Sequence, residues 1–141
     1  MNDIEMLNTI CENAEMGRDG ISHLTAMSSD AAFKGLLETQ QNEYQKNYDD
    51  ASKLLGKLGQ VPKHANRVAK ASSFIGSKVR TLTDTSPSKL AELMIEGSTM
   101  GITKLTKEFN QYGGDQQEIK DLALRHLLAE QTNIDQMKQY L

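Results

Sequence analysis

The chain has 141 residues, a length that predicts one domain built around a single hydrophobic core. Hydrophobic residues make up 38% and aromatic residues 5%, with no tryptophan, and this composition favours helices over strands. The net charge of −3 lacks the basic excess of a nucleic-acid-binding protein, and one cysteine excludes an internal disulfide. No apolar run approaches the roughly 18 residues of a membrane span, and the acidic N-terminus does not resemble a signal peptide. We therefore expect a cytoplasmic protein.

Two long helices are predicted in the first part of the chain. The first runs from Asn2 to about residue 27, because Asn2 and Glu5 have the spacing of a capping box. The second runs from Asp30, a favourable N-cap residue, to Leu58. Gly59 is expected to end it, since glycine adopts the left-handed conformation that closes many helices.

The segment 60–83 differs from its surroundings because it contains five basic residues and no acidic one. The net charge of −3 therefore combines +5 here with −8 in the rest of the chain. Apolar or small residues recur along it at spacings of three and four, which predicts an amphipathic helix with a basic outer face; they are Ala65, Val68, Ser72, Ile75, Val79 and Leu82. Nucleic acid or acidic lipid could bind such a face, but interleaved aromatics are scarce, and a solvated surface is the expectation.

Two further long helices are predicted in the last part of the chain. Ser86 as N-cap and Pro87 at the first helical position start a helix that runs to about Tyr112. The two glycines that follow form the strongest break in the sequence. Asp115 and Glu118 then have capping-box spacing and open a last helix, which extends to the C-terminus.

The order of these elements predicts an all-α, up-down-down-up four-helix bundle. Short turns join the first and second long helices and the third and fourth, so each pair is expected to be an antiparallel hairpin. The basic segment then crosses over from the second helix to the third, as in ferritin-like folds.

A weak internal repeat supports two related hairpins. The segment 15–25 reappears as 96–106, 81 positions later, with Glu, Gly, Ile, Leu and Thr coinciding. Glycines occur in the helix that carries each copy, although each costs about 1 kcal/mol of helix stability relative to alanine. Their repetition favours close packing of the two helices or a subunit contact, with a helix kink as the simpler alternative; they are Gly17, Gly20, Gly97 and Gly101.

Several short features match a known pattern across nearly the whole chain. They are the segment with Glu15 and Gly20, Lys-Leu-Gly at 57–59, the crossover of roughly 20 residues, Glu96 with the glycine after it, and Glu130. In these features the chain resembles an uncharacterised bacterial family of ferritin-like four-helix bundles, known only as a domain of unknown function. The resemblance implies a bundle with a degenerate metal site and no established activity.

The candidate metal ligands depart from the di-iron pattern of such bundles. Di-iron sites combine one Glu on each of two helices with Glu-x-x-His on the other two. No Glu-x-x-His occurs here; His126 instead precedes Glu130 by four residues. A helical wheel places Glu130 and His126 inward and Glu43 at the edge of an apolar stripe, whereas Glu15 and Glu96 fall outside the main stripes. If a metal binds, one weakly held ion near Glu130, His126 and Glu43 is expected.

Each candidate also has a structural interpretation. Glu130 and His126 form either remnant ligands or a buried polar pair closed by Gln40 or Asn47, which lie in the same stripe. Glu15 and Glu96 are expected to be solvated or interface carboxylates. Cys11 fits a small core residue better than a redox site.

Two functions remain open from the sequence. The first is a non-catalytic binding or assembly protein, which the missing histidines favour and for which no cofactor is expected. The alternative is a carboxylate-rich metal protein for iron or another divalent ion, which the fold and repeat favour. Leu124 and Leu128 lie opposite the Glu130 stripe, so a homodimer is predicted, or cover by the crossover. Nothing in the sequence identifies a partner protein.

Overall fold

The computed structural model describes residues 1–63 and 74–141, and all regular secondary structure within them is helical, with no strand. The all-α prediction is therefore confirmed. The five α-helices are α1 (Asp3–Met27), α2 (Ala31–Lys57), α3 (Phe74–Lys78), α4 (Pro87–Gln111) and α5 (Gln117–Met137). Short 3-10 turns follow α3 at Val79–Thr81 and α5 at Lys138–Tyr140. None of these helices is long and apolar enough to cross a membrane.

Side-chain caps start three of the four long helices where the sequence predicts. Asn2 accepts a hydrogen bond from the backbone of Glu5 at 2.9 Å, and the Glu5 carboxylate accepts one from the backbone of Asn2 at 2.9 Å. Asp30 caps α2 by accepting a backbone N–H at 2.8 Å. Ser86 caps α4 in the same way, and Pro87 occupies the first turn, where its missing N–H costs nothing.

The ends of α2 and α5 give one confirmed prediction and one wrong one. Gly59, with φ of 72°, follows the end of α2 as expected. The predicted capping box of Asp115 and Glu118 is wrong, because α5 begins one residue later. Gln116 takes the N-cap position without a side-chain bond, and its carbonyl accepts the first helical N–H groups. Glu118 thus lies in the first turn, where a negative charge favours the helix dipole.

The long helices are aligned by contacts between distant residues. The start of α1 meets the end of α4, since Tyr112 donates to Asp3 at 2.5 Å. Further along, Asn13 of α1 donates to the carbonyl of Gly101 in α4 at 3.0 Å. These pairs run in opposite directions, so α1 and α4 are antiparallel. α2 and α5 are antiparallel by the same criterion, and each consecutive pair, α1 with α2 and α4 with α5, packs extensively.

The core consists of two apolar clusters with a polar layer between them. One cluster contains Met6, Leu7, Ile10, Cys11, Ala51, Leu55, Leu105, Tyr112, Ile119, Leu122 and Ala123. The other contains Ile21, Leu24, Phe33, Leu37, Tyr44, Ile75, Leu90, Ala91, Leu93, Met94 and Met137. Along the long helices, most buried polar residues fall between the two clusters, whereas Gln40 lies beside residues of the second cluster; those between are Glu15, Asn47, Ser98, His126, Glu130 and Asn133. This arrangement places most buried polar groups midway along the long helices.

The described end of the crossover packs against α1 and α4. Ile75 of α3 is buried as its spacing predicts, and it lies where a Cβ on Gly20 or Gly97 would approach it to 2.9 Å or 3.1 Å. Two of the four repeated glycines therefore make room for one isoleucine side chain. The predicted amphipathic positions Ala65, Val68 and Ser72 lie outside the described residues.

Candidate functional site

The polar layer is made of side chains from all four long helices. All of its members except the half-buried Asn13 are nearly inaccessible to solvent, and Asn13 is included because it is hydrogen-bonded to His126. The members are Asn13 and Glu15 of α1, Gln40 and Asn47 of α2, Ser98 of α4, and His126, Glu130 and Asn133 of α5. Polar groups in such a position require hydrogen-bond partners, or they destabilise the fold. Their partners therefore indicate which of them are structural.

His126 has a complete set of partners. Its Nδ1 lies 3.0 Å from the Asn47 amide nitrogen, and its Nε2 lies 2.7 Å from Asn13 Oδ1. Arg125 donates to Asn47 Oδ1 at 3.0 Å, which turns the amide nitrogen of Asn47 toward the ring. Asn13 in turn donates to the carbonyl of Gly101. Nδ1 is therefore the acceptor and Nε2–H the donor of a neutral imidazole.

The electrostatic surroundings keep this imidazole neutral. Burial, together with the adjacent Arg125 guanidinium, lowers the pKa of His126 to about 4. A histidine with both nitrogens engaged and so low a pKa is a poor proton acceptor at neutral pH. The arrangement fits a structural hydrogen-bonding role.

Glu130 differs from His126 because its partners are incomplete. Its side chain is buried, and Oε1 lies 3.7 Å from His126 Nε2, too far for a hydrogen bond. Glu130 Oε2 and the neighbouring Ser98 Oγ have no hydrogen-bond partner among the described residues. Burial raises the pKa of Glu130 to about 7, although the nearby hydroxyls of Tyr44 and Ser98 oppose part of that rise. The carboxyl thus titrates near neutral pH.

A cavity of about 280 Å³ between α1 and α4 leads to Glu130. Its walls are mostly apolar and its inner end is polar; Met16, Met94, Phe74 and Ile75 contribute to the walls, and Ser98, Tyr44 and Glu130 lie at the inner end. A Cβ on Gly17 would come within 2.6 Å of the Tyr44 ring, so glycine there lets the tyrosine reach the inner end. At the surface end, Lys104 forms an ion pair with Glu12 at 3.3 Å.

The five predicted ligands are only partly brought together. His126 and Glu130 are neighbours, whereas Glu43 is half-buried and Glu96 is exposed. Glu15 was expected to be solvated or at an interface, and that is wrong: only 1% of it is exposed, with its carboxylate 3.9 Å from Arg18. Within residues 1–63 and 74–141, no group of three or more His, Cys, Asp or Glu has a geometry that could hold a metal ion.

The donor set does not fit the pair of metal ions that ferritin-like metalloproteins hold. Neither nitrogen of His126 is free, because Asn47 and Asn13 engage both. A metal ligand would need one of those bonds to break, which would leave a buried amide group unsatisfied. The roles of the five residues as metal ligands therefore stay predictions.

Cys11 is buried in the core, as expected for a structural residue. Burial raises the pKa of its thiol to about 12, and the nearby Glu15 carboxylate adds to this effect. Thiolate is the reactive form, so this cysteine is inert at neutral pH.

The sequence indicated Glu130, His126 and Asn47 but not Asn13, Ser98 or Tyr44. Asn13 and Ser98 are short polar residues within helices, where the common expectation is solvent exposure. The available signal was the group of glycines in α1 and α4, which marks where side chains from other helices approach closely.

No family model matches the chain, and no curated protein matches it. Among solved structures, a fragment of DUF305 from Deinococcus radiodurans has a similar fold, with a TM-score of 0.75. The alignment covers 97% of this chain and 93% of that one at 12% sequence identity. At this identity the likeness shows the fold alone, so this chain shares its helical fold with a domain of unknown function.

Proposed function

We propose that this protein is a non-catalytic binding protein, a ferritin-like four-helix bundle that holds a small ligand in the cavity between α1 and α4. The observation that carries the proposal is Glu130, a buried carboxyl with an unpartnered oxygen at the inner end of a mostly apolar cavity. Binding sites commonly combine apolar walls with a few polar groups that orient the ligand. The ferritin-like assignment is supported by the alignment of the long helices and the long connection between α2 and α4.

The state of the other reactive groups supports binding over catalysis. A general base needs a pKa near the working pH and a free nitrogen, and His126 has neither. A nucleophilic cysteine needs an accessible thiolate, whereas Cys11 is buried with a strongly raised pKa. Glu130 titrates near neutral pH, but the neighbouring Ser98 hydroxyl has no hydrogen-bond partner among the described residues, whereas an activated nucleophile is hydrogen-bonded to its base.

A matched pair of variants on α4 tests the proposal. Ser98→Leu places an apolar side chain inside the cavity and removes an unsatisfied hydroxyl. Thr99→Leu makes the same addition at the next position, which is exposed and lies outside the lining. Fragment binding is measured by chemical-shift changes in two-dimensional NMR spectra.

We expect fragments to shift resonances of Met94 and Gly97 in the native protein and in Thr99→Leu, and not in Ser98→Leu. Shifts confined to the outer surface, or retained in Ser98→Leu, would contradict a ligand-binding cavity. The stability of each variant, measured by thermal unfolding, separates loss of binding from loss of fold.

A carboxylate-rich metal-binding protein is the alternative, favoured by the 3.7 Å separation of His126 and Glu130. Anaerobic Fe(II) titration followed by oxygen tests it, on the native protein and on Glu130→Ala. Two tightly bound equivalents with an absorption band lost in the variant would establish the alternative. Weak binding of one ion or fewer, unchanged in the variant, would exclude it.

A further inference from the structure

The charges along the cavity leave one carboxyl uncompensated. Among the described residues of the lining, three have acidic or basic side chains, and they are Glu12, Lys104 and Glu130. Glu12 and Lys104 form an ion pair with each other at the surface end. Glu130 at the inner end is close to no cation among the described residues of the lining. A positively charged ligand would compensate the charge of the Glu130 carboxylate.

The groups that face Glu130 from each neighbouring helix are neutral or apolar. They are Asn13 of α1, Tyr44 of α2, Phe74 and Ile75 of α3, Ser98 of α4, and His126 of α5 itself. The His126 ring is neutral, and its Nε2 hydrogen is donated to Asn13. None of them can neutralise an ionised carboxylate, so its charge is available to a ligand.

The walls fit a slender apolar chain. Met16 and Met94 flank the cavity, and Met100 lies at the surface end, where 56% of it is exposed. Methionine side chains adapt their shape easily to an apolar partner. An engineered cavity of about 150 Å³ accepts benzene, so the volume here suits a ligand on the order of ten non-hydrogen atoms.

We propose that the cavity binds a primary alkylamine, with the ammonium group against Glu130 Oε2 and the alkyl chain along the methionine wall. This inference rests on the proposed binding function and specifies its ligand class. The ammonium group has three donors, and Glu130 Oε2 and Ser98 Oγ are two acceptors without partners. The Tyr44 ring at the same end adds a favourable face for a cation. A charge-assisted hydrogen bond at this buried carboxyl offsets the cost of removing the ammonium group from water.

Three probes of equal chain length separate the head group from the tail. Hexylamine, 1-hexanol and hexanoate are titrated into the native full-length protein by calorimetry at pH 8. Hexylamine is expected to bind roughly tenfold more tightly than hexanol, since hydrogen bonds to charged groups contribute more than neutral ones. Hexanoate is expected to bind most weakly, because its charge repels that of Glu130.

Variants assign the preference to one carboxyl. Glu130→Gln is expected to bind hexylamine and hexanol equally, because the amide keeps the shape of the side chain and removes its charge. Glu38→Gln removes an exposed carboxylate on α2, outside the cavity lining, and is expected to retain the tenfold preference. A ¹³C label in the glutamate side chains provides a second measurement on the native protein. In spectra recorded at about pH 6, below the pKa of about 7, hexylamine is expected to move the Glu130 carboxyl resonance toward the ionised position.

The outcomes distinguish this inference from the proposed function. If hexanol binds as tightly as hexylamine, or hexanoate binds best, the ligand class is wrong and the binding cavity stands. If none of the three probes binds, both are wrong. A preference lost in Glu38→Gln and kept in Glu130→Gln, or an unchanged Glu130 resonance, would also overturn the assignment.

Discussion

Replacing Glu130 by glutamine should make the protein more stable at pH 8 and leave its stability near pH 4.5 almost unchanged. In the unfolded chain this carboxyl ionises with its ordinary pKa of 4.5, whereas in the folded protein burial raises the pKa to about 7. Between these values unfolding releases a proton, so a rise in pH favours the unfolded state. The difference between these two pKa values corresponds to about 3 kcal/mol of the free energy of unfolding lost by pH 7. Glu130→Gln avoids this loss because the amide does not ionise.

His126 has the opposite pH dependence over nearly the same range. Its pKa falls from 6.5 in the unfolded chain to about 4 in the fold, so unfolding takes up a proton between those values. Stability from this residue is therefore lost as pH falls from 6.5 to 4. In the native protein the effects of Glu130 and His126 cancel between about pH 4.5 and 6.5. The Glu130→Gln variant should then show only the rise with pH that His126 produces.

Urea unfolding followed by circular dichroism at pH 4.5 to 8 measures both effects. The difference in free energy of unfolding between variant and native protein should grow with pH and level off above about pH 7. Glu96→Gln is the matched control, because it makes the same substitution at a carboxyl that is exposed on α4. A difference that stays constant with pH, or an equal pH dependence in Glu96→Gln, would refute the burial argument.

The remaining predictions concern packing, hydrogen bonding and assembly. Asn47→Ala should lower the free energy of unfolding by about 2 kcal/mol, because it leaves a buried ring nitrogen without its donor. Gly17→Ala should destabilise by about 1–3 kcal/mol, since the new Cβ meets a tyrosine ring at 2.6 Å, whereas Gly35→Ala should stabilise by up to about 1 kcal/mol in open space. Leu124 and Leu128 are 51% and 67% exposed, and we expect them to form a homodimer interface that Leu128→Lys disrupts, as measured by sedimentation.

Specific results would contradict each of these. Asn42→Ala is the exposed control on α2, and an equal loss of stability there would mean that the loss in Asn47→Ala reflects helix propensity or other general effects. Equal effects of alanine at the two glycine positions would exclude a steric role for Gly17. A monomer at roughly tens of micromolar, a concentration at which weak dimers persist, would rule out the homodimer.

Local signals in the sequence predicted most of the helix boundaries. Asn2, Asp30 and Ser86 cap helices because a short polar side chain can reach the backbone N–H groups of the first turn wherever the chain is placed. The start of α5 was missed because Asp115 and Gln116 are adjacent, and capping-box spacing does not decide which of them leaves the helix.

The site was predicted where a single apolar stripe determines burial. Glu130 and Asn47 lie within such stripes and are buried, as the helical wheel indicates. Glu15 was placed wrongly because α1 packs against both α2 and α4, so positions beside its main stripe are also covered. Glu96, its counterpart in the repeat, is exposed, so identical residues at equivalent positions of the repeat need not be equally buried.

The hydrogen bonds of His126 also determine how the four long helices are aligned along their axes. The apolar clusters are mostly aliphatic, so a slide of one helix by a single turn, about 5.4 Å, would still bury apolar surface. The imidazole, however, meets Asn47 of α2 on one side and Asn13 of α1 on the other, and Asn13 continues to α4. Any one-turn slide would separate a buried donor from its acceptor at a cost of about 1–3 kcal/mol for each group left unpaired. One histidine at mid-height thus selects a single alignment of four helices whose apolar faces alone would tolerate several.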